Sequence, residues 1–145
     1  MRFLLDVMLG KLATYLRMCG HDAAYALDRG VEADDRILAL ARAEDRRLVT
    51  RDADLAARTG GSIRVESTEI GGQLRELRAA GVDLSLSDPE RCSRCNARVE
   101  RVGRGETPEY APDADERPVW RCRACGQHYW TGSHWADVRE RLASV

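Results

Sequence analysis

Four cysteines fall in two matched pairs, Cys92 and Cys95 in "RCSRCN" and Cys122 and Cys125 in "RCRACG". A C-x2-C turn brings two thiolates to one ion, and two such turns complete a tetrahedral four-thiolate shell for Zn2+. Four thiolates leave no position for water, so this zinc is expected to be structural. Arginines surround both pairs and are expected to help hold the thiolates deprotonated. Gly126, just past the second pair, suits a turn that needs positive φ. A redox C-x2-C is the other chemistry this spacing permits, and two matched copies argue against it. His128 and His134 could each replace a thiolate, but with four cysteines present they are expected at the surface or facing a substrate. The fifth cysteine, Cys19, lies on an apolar helical stripe and reads as a small core residue.

A second set of reactive groups is acidic. Asp6 follows "RFLL", Asp34 and Asp35 open "DDRILALA", and Asp52 and Asp54 follow "RLVT". Asp52 and Asp34 are good helix N-caps, and Asp35 and Asp54 favour a first-turn dipole, so capping alone could account for most of them. Asp6 is harder to explain that way, because an acid inside "FLLDVML" is costly to bury without a partner. Gathered at one place, these carboxylates would repel one another unless a cation neutralised them. Oxygen ligands select hard Mg2+ or Mn2+, ions that keep open water positions and can support phosphodiester hydrolysis.

The elements that must position these groups are legible in the apolar pattern. "RFLLDV" predicts a strand, and "MLGKLATYLRMCG" a helix with Leu9, Leu12, Leu16 and Cys19 on one stripe and Gly20 as its stop. "AAYAL" predicts a weaker strand, and "DDRILALARAE" a helix whose Ile37, Leu38, Leu40 and Ala41 face inward. "RRLVT" and "SIRVE" predict strands flanking a short helix in "DADLAART", and "STEIGGQLRELRAAG" a last helix weakened by Gly71-Gly72. Strands separated by helices of this length imply a parallel sheet between helical layers over about residues 1–84. In such a sheet the carboxyl strand ends and helix starts share one edge, where ligands bind. All five acids are expected there.

"DLSLSDPE" is expected to be a linker, with residues 85–90 separating the first module from a second at 91–145. Three of the four prolines fall in "GETPEYAPDADERP", expected to be an irregular, mobile excursion within the second module. That module is expected to need its metal to fold, having few aliphatic residues. Tyr110, Trp120, Tyr129, Trp130 and Trp135 are interleaved there with Arg117, Arg121 and Arg123. Such a mixture suits base stacking with phosphate contact, and equally the covering of small hairpins. "SHWADVRERLAS" predicts an amphipathic helix with Ser133 as N-cap, docking on the first module.

The bulk numbers exclude several classes. The 145 residues carry a formal net charge of −1, with 13 basic against 16 acidic residues over 1–90 and 10 against 8 over 91–145. A dedicated nucleic-acid binder is usually clearly basic. No segment approaches the roughly 18 apolar residues of a membrane helix, so no membrane partner is expected. "MRFLLDVMLGK" is too short for a signal peptide, which makes cytoplasm the expected setting and metal or free thiols the expected state of the cysteines. A haloacid-dehalogenase-type phosphatase would want an acid two residues after Asp6, where Met8 stands. A phospho-receiver domain would want a lysine after a late strand, and the single lysine is Lys11.

"FLLDVMLGKLATYLRMCGHD", "DDRILALARAEDRRLVTRDADLA", "RCSRCN" and "RCRACGQHYWTGSHW" together resemble the Mut7-C family, PIN-like ribonuclease domains followed by a zinc ribbon. The resemblance runs over nearly the full chain. It implies a PIN-like three-layer α/β/α domain that cleaves RNA with a divalent metal, leaving 5′-phosphate and 3′-hydroxyl ends. Carried over residue by residue, it implies Asp6 as the first-strand acid, Asp34 as the central helix acid with Asp35 close behind, Asp52 as the acid of "TRD", and Asp54 as the trailing one. Thr50 would orient Asp52 by hydrogen bond. Lys11, Arg17 and Arg51 would meet phosphate, an exposed helix face being the equal alternative for the first two. The acidic, proline-rich insertion departs from the family pattern. The expected function is therefore a metal-dependent RNA endonuclease with a structural zinc ribbon that positions substrate. Its rivals are a non-catalytic RNA- or protein-binding adaptor and a PIN-type toxin with a small cognate protein partner; a homodimer is compatible with all three.

Overall fold

The computed structural model describes all residues, Met1–Val145. Four short strands form a parallel sheet: β1 (Arg2–Leu5), β2 (Asp22–Tyr25), β3 (Arg47–Thr50) and β4 (Ile63–Arg64), in the order β2-β1-β3-β4. Between them run α1 (Gly10–Met18), α2 (Asp34–Ala43) and α3 (Ala53–Ala57), and α4 (Ile70–Ala79) follows β4. A short 3-10 turn at Leu27–Arg29 precedes α2.

Side chains alternate across a strand, so β1 feeds both faces of the sheet. Phe3 and Leu5 join Leu12, Leu16, Val49, Leu74 and Leu77 in the larger core, beneath α1 and α4. Leu4 and Leu48 join Ile37, Leu38, Ala41 and Leu55 in the smaller core, beneath α2 and α3. Leu40, expected to face inward, is half-buried at the margin of this second core. Helices therefore cover both faces, giving three layers. Cys19 packs against the larger core, and burial pushes its thiol up to about 12, which leaves it unreactive.

Gly71 and Gly72 do not break α4. A Cβ on Gly72 would fall 2.2 Å from Ser67 Oγ, so the missing side chain makes room for the turn entering the helix. Val82 and Leu84, at the end of the first module, are buried in the larger core, and Leu86 of the expected linker lies against it. Their every-second-residue spacing presents one apolar side of an extended chain to the domain.

The second module holds an antiparallel sheet of β5 (Val99–Arg101), β6 (Trp120–Cys122) and β7 (His128–Tyr129), in that order. The chain ends in α5 (Ser133–Ala143), whose Trp135, Val138 and Leu142 complete the larger core of the first module. Gly132, not Ser133, occupies the N-cap position of α5, and no side chain caps it. No helix is long and apolar enough to cross a membrane.

The two modules are joined by polar contacts along the exposed edge of β2. Asn96 Nδ2 donates to Asp22 Oδ1 at 2.7 Å, while Asn96 Oδ1 accepts from the Ala23 N–H at 2.8 Å. The carboxamide thereby pairs with the edge strand as a neighbouring strand would, covering an edge that would otherwise be open. Arg46 donates to Asp22 Oδ1 from the other side, and Arg91 lies 3.7 Å from Asp22 Oδ2.

Candidate active site

The sheet order reverses direction between β1 and β3. From β1 the chain crosses to β2 on one side, then returns past β1 to β3 and β4 on the other. Diverging connections leave a crevice outside the carboxyl ends of those two central strands. Asp6 ends β1 and Asp52 follows β3, so the two acids flank that crevice.

Thr50 ties them together. Its fully buried hydroxyl donates to Asp6 Oδ2 at 2.6 Å and accepts from the Asp52 backbone N–H at 3.0 Å. Asp6 Oδ1 accepts from the Val7 N–H at 2.8 Å, which fixes the carboxylate at both oxygens while leaving each a further lone pair. Thr50 therefore orients the Asp6 side chain directly and Asp52 through its main chain, so its hydrogen bond to Asp52 is one to the backbone N–H. Met8 follows with φ 74° and its side chain 83% exposed, a left-handed turn at the mouth of the crevice.

Asp52 also caps α3. Its Oδ1 accepts from the N–H groups of Asp54 and Leu55, at 2.9 and 3.2 Å, leaving Oδ2 uncommitted. Capping and ligand binding are thus compatible in one carboxylate. Asp34 is different: Ala33 occupies the N-cap position of α2, and Asp34 stands in its first turn without a capping bond. Asp34 and Asp54 are exposed. Asp35 pairs with Arg58 Nη2 at 2.5 Å, which raises the Arg58 pKa and draws Asp35 toward α3.

The remaining candidates separate by exposure. Lys11, in the first turn of α1, is exposed at the same edge, and so is Arg51, whose Nη2 reaches the Glu66 carbonyl at 3.4 Å. The phosphate contact expected of Arg17 does not hold. Arg17 is 4% exposed; Nε donates to the Ala23 carbonyl at 2.8 Å and Nη1 to the Ser93 carbonyl at 3.1 Å. Desolvation pulls its pKa down, partly offset by Asp28. It faces inward because it lies on the buried side of α1, where its donors join strand β2 to the first cysteine turn.

The two ends of the sheet contrast electrostatically. At the amino end Asp22 and Glu44 are each held by Arg46, at 2.7 Å in both cases. At the carboxyl end no basic side chain lies within 4.0 Å of Asp6, Asp34, Asp52 or Asp54, although Arg58, paired there with Asp35, also feels the charge of Asp34. The carboxylates do not converge tightly. The four cysteines are the one group of three or more Cys, His, Asp or Glu residues whose ligand atoms lie within 4.8 Å of one another. The acids thus form an open set of hard oxygens, a donor set that fits a hydrated ion held by one or two carboxylates better than a closed cage.

The cysteines meet the requirements of zinc closely. Cys92 and Cys125 sulfurs lie 3.6 Å apart, and those of Cys95 and Cys122 3.4 Å. A tetrahedral ion at 2.3 Å would set them about 3.8 Å apart. Asn96 and Gly126, each following the second cysteine of a pair, have φ of 73° and 80°. The N–H groups of Ala124 and Cys125 donate to Cys122 Sγ, at 3.3 and 3.4 Å. Burial raises the Cys122 pKa, but these N–H groups outweigh it and bring the thiol to about 7. The arginines expected to do this are engaged elsewhere, Arg121 and Arg123 with Glu100 and Arg94 with Gln127. Cys92 Sγ also meets the Tyr129 hydroxyl at 3.0 Å.

Sequence reasoning missed Asn96, although the parallel between "CSRCN" and "CRACG" marks it as the second left-handed position. It missed Asp22 and Arg91 too, for which no local pattern exists. Tyr110, in the irregular insertion, returns to the ribbon: its hydroxyl lies 3.1 Å from the His128 N–H and 3.2 Å from His128 Nδ1.

No curated protein matches the chain, and no solved structure does. The family described as the Mut7-C RNAse domain matches residues 1–142. With that match covering both the acidic edge and the four-cysteine cluster, the chain belongs to the Mut7-C RNAse domain family.

Proposed function

We propose that this protein is a metal-dependent endoribonuclease of PIN-like architecture, with a structural zinc in its ribbon. The observation that supports the reading is that Thr50 ties Asp6 to the Asp52 main chain across the switch point, with no basic side chain within 4.0 Å of either carboxylate, whereas Asp22 and Glu44 at the amino end are held by Arg46. Unneutralised acids collected at one edge are electrostatically costly unless a cation joins them. Asp6 and Asp52 are the anchors, because Thr50 fixes both before any ligand arrives. Asp34 and Asp54 supply further oxygens, with Asp35 behind them.

Mg2+ or Mn2+ bound there would supply an acidified water and neutralise charge on the phosphodiester. The chain's own residues hold the remaining parts of the reaction. Lys11 and Arg51, exposed beside the crevice, contact the phosphate oxygens of RNA. Asp6, locked by two hydrogen bonds, keeps its oxygens in place without reorganising during the reaction. Attack of water on phosphorus breaks the bond to the 3′ oxygen, leaving a 5′-phosphate and a 3′-hydroxyl. Cytoplasm is the proposed setting, where thiols remain reduced and free to hold zinc.

The test compares zinc-loaded wild type with Asp52→Asn on an end-labelled RNA containing paired and unpaired stretches, with Mg2+ or Mn2+. The variant is expected to lose at least about 100-fold in cleavage rate. Equal cleavage by both proteins, or none by either across both metals, leaves the adaptor reading in its place.

A further inference from the structure

One residue of the turn leaving β1 is at odds with the turn it sits in. The Leu9 N–H donates to the Asp6 carbonyl at 3.2 Å and closes a four-residue turn, Asp6–Leu9. Of its two central residues only Met8 has positive φ, 74°. That is the pattern of a type II turn, whose third position favours glycine or asparagine. The other two non-glycine residues with positive φ are Asp45 and Asn96, residue types that tolerate it. Methionine does not, because its Cβ crowds the backbone there. Met8 is also 83% exposed, the most exposed large apolar side chain in the protein.

Its neighbours hold it out. Val7 packs against the smaller core, and Leu9 sits in the larger one. The turn is thus pinned on both faces of the sheet, with Met8 projecting between them, two residues after Asp6 and three before Lys11. A single exposed apolar side chain needs no explanation, but this one is exposed and strained in a pinned turn, so it is unfavourable twice over. Strained residues collect where ligands bind. Leu27, 48% exposed, leaves the same edge from β2, whose Tyr25 pairs with Leu5 of β1. The rim therefore sets uncovered apolar side chains beside a fixed carboxylate, Asp6, and a free cation, Lys11. A ligand matched to it carries an anionic group and a flat apolar group side by side, as a nucleotide does.

We propose that Met8 is a substrate-positioning residue, whose side chain lies against the face of the nucleobase next to the phosphate held at Asp6 and Asp52. The identity of the ligand rests on the ribonuclease reading above. An unbranched thioether adapts its shape and makes favourable contacts with aromatic rings, so it suits any base. The pinned turn presents that side chain in one place before the substrate arrives, which limits the ordering that binding requires.

The test uses the full-length zinc-loaded chain with Mn2+ and an end-labelled RNA, intact or abasic at the nucleotide beside the cleaved bond. Glycine suits the left-handed position, so Met8→Gly is expected to unfold at a urea concentration no lower than wild type. It is expected to raise KM about fivefold with kcat within about twofold, the mark of a contact made equally in ground and transition states. Met8→Leu keeps an apolar side chain and is expected to hold KM within about twofold of wild type. The abasic position is expected to cost wild type about fivefold and to cost Met8→Gly little more, since both changes remove one contact. Mn2+ uptake by Met8→Gly is expected to match wild type. An unchanged KM in Met8→Gly, no rescue by leucine, equal abasic losses in both proteins, or impaired Mn2+ uptake, which would place the effect in Asp6, overturns the contact. Binding of the intact strand without added Mg2+ or Mn2+, read by fluorescence anisotropy, separates this claim from the nuclease reading. Cleavage by wild type, with KM and affinity unchanged in Met8→Gly, sinks the Met8 contact alone. No cleavage, with binding that Met8→Gly weakens about fivefold, sinks the nuclease reading alone. A wild type that neither binds nor cuts overturns both.

Discussion

Thr50 is the residue on which both anchoring carboxylates depend. Replacing it with valine keeps the shape but removes the donor to Asp6 and the acceptor for the Asp52 N–H. A hydrogen bond to a charged group is worth more than a neutral one, so Thr50→Val is expected to cost about 2 kcal/mol in urea denaturation and to impair cleavage as well. Asp52 allows structure and chemistry to be separated. Asparagine caps a helix about as well as aspartate, so Asp52→Asn is expected to hold stability within about 0.5 kcal/mol while abolishing cutting, whereas Asp52→Ala loses about 1 kcal/mol as well. Arg17 gives the opposite pattern. With its donors on the Ala23 and Ser93 carbonyls, Arg17→Met is expected to cost about 3 kcal/mol and to leave RNA affinity unchanged at temperatures where the variant is folded. A fall in RNA affinity with intact stability would return Arg17 to the phosphate-binding set.

At the scale of elements, the cysteine turns do more than hold an ion. Asn96 takes its left-handed conformation as part of the first turn, and the same residue pairs with the edge of β2. Asn96→Gly preserves the backbone conformation and deletes both hydrogen bonds, and is expected to lower stability by about 2 kcal/mol, read by denaturation of the zinc-loaded protein. The strands and helices of the first module were legible because each short apolar run alternates with a helical stripe: Leu12 and Leu16, or Ile37 and Leu38, face one core each. The four-cysteine spacing was equally plain. The direction of Arg17 was not, since the stripe that buries Leu16 carries no mark of which neighbouring polar residue turns inward with it. Nor were the contacts of Asp22 with Asn96 and of Tyr110 with His128 legible, for they join residues 74 and 18 positions apart and leave no periodic trace. The acids could be assigned to one edge from the strand order that βαβ units impose, but how closely they approach one another depends on rotamers, which sequence pattern does not encode.

For the whole molecule, the last helix belongs to the first module's core and the first cysteine turn covers its sheet edge, so the two modules are expected to unfold together. Removing zinc with a chelator is expected to lower the melting temperature of the entire chain by about 10 °C or more in one transition, followed by circular dichroism, rather than melting a ribbon apart from an unaffected domain. Acid has a related effect. Hydrogen bonds from Arg29 and Arg46 hold the Glu44 pKa down at about 2; burial raises that of Asp22, but Arg46 and Asn96 outweigh it and leave it lowered. Groups depressed on folding contribute stability above their unfolded values, about 3.9 for Asp and 4.3 for Glu, and lose it as pH falls toward the folded ones. Stability is therefore expected to fall from about pH 4 toward pH 2, less steeply in Glu44→Gln, as followed by denaturant titration at each pH. The claim on which the function turns is that the carboxyl edge of the sheet captures a hard divalent ion. Titrating the zinc-loaded protein with Mn2+ and following the free-ion signal by electron paramagnetic resonance measures this without any substrate. Wild type is expected to take up Mn2+ at least about tenfold more tightly than Asp6→Asn or Asp52→Asn; uptake that is equal in all three proteins, or absent from wild type at millimolar Mn2+, would contradict it.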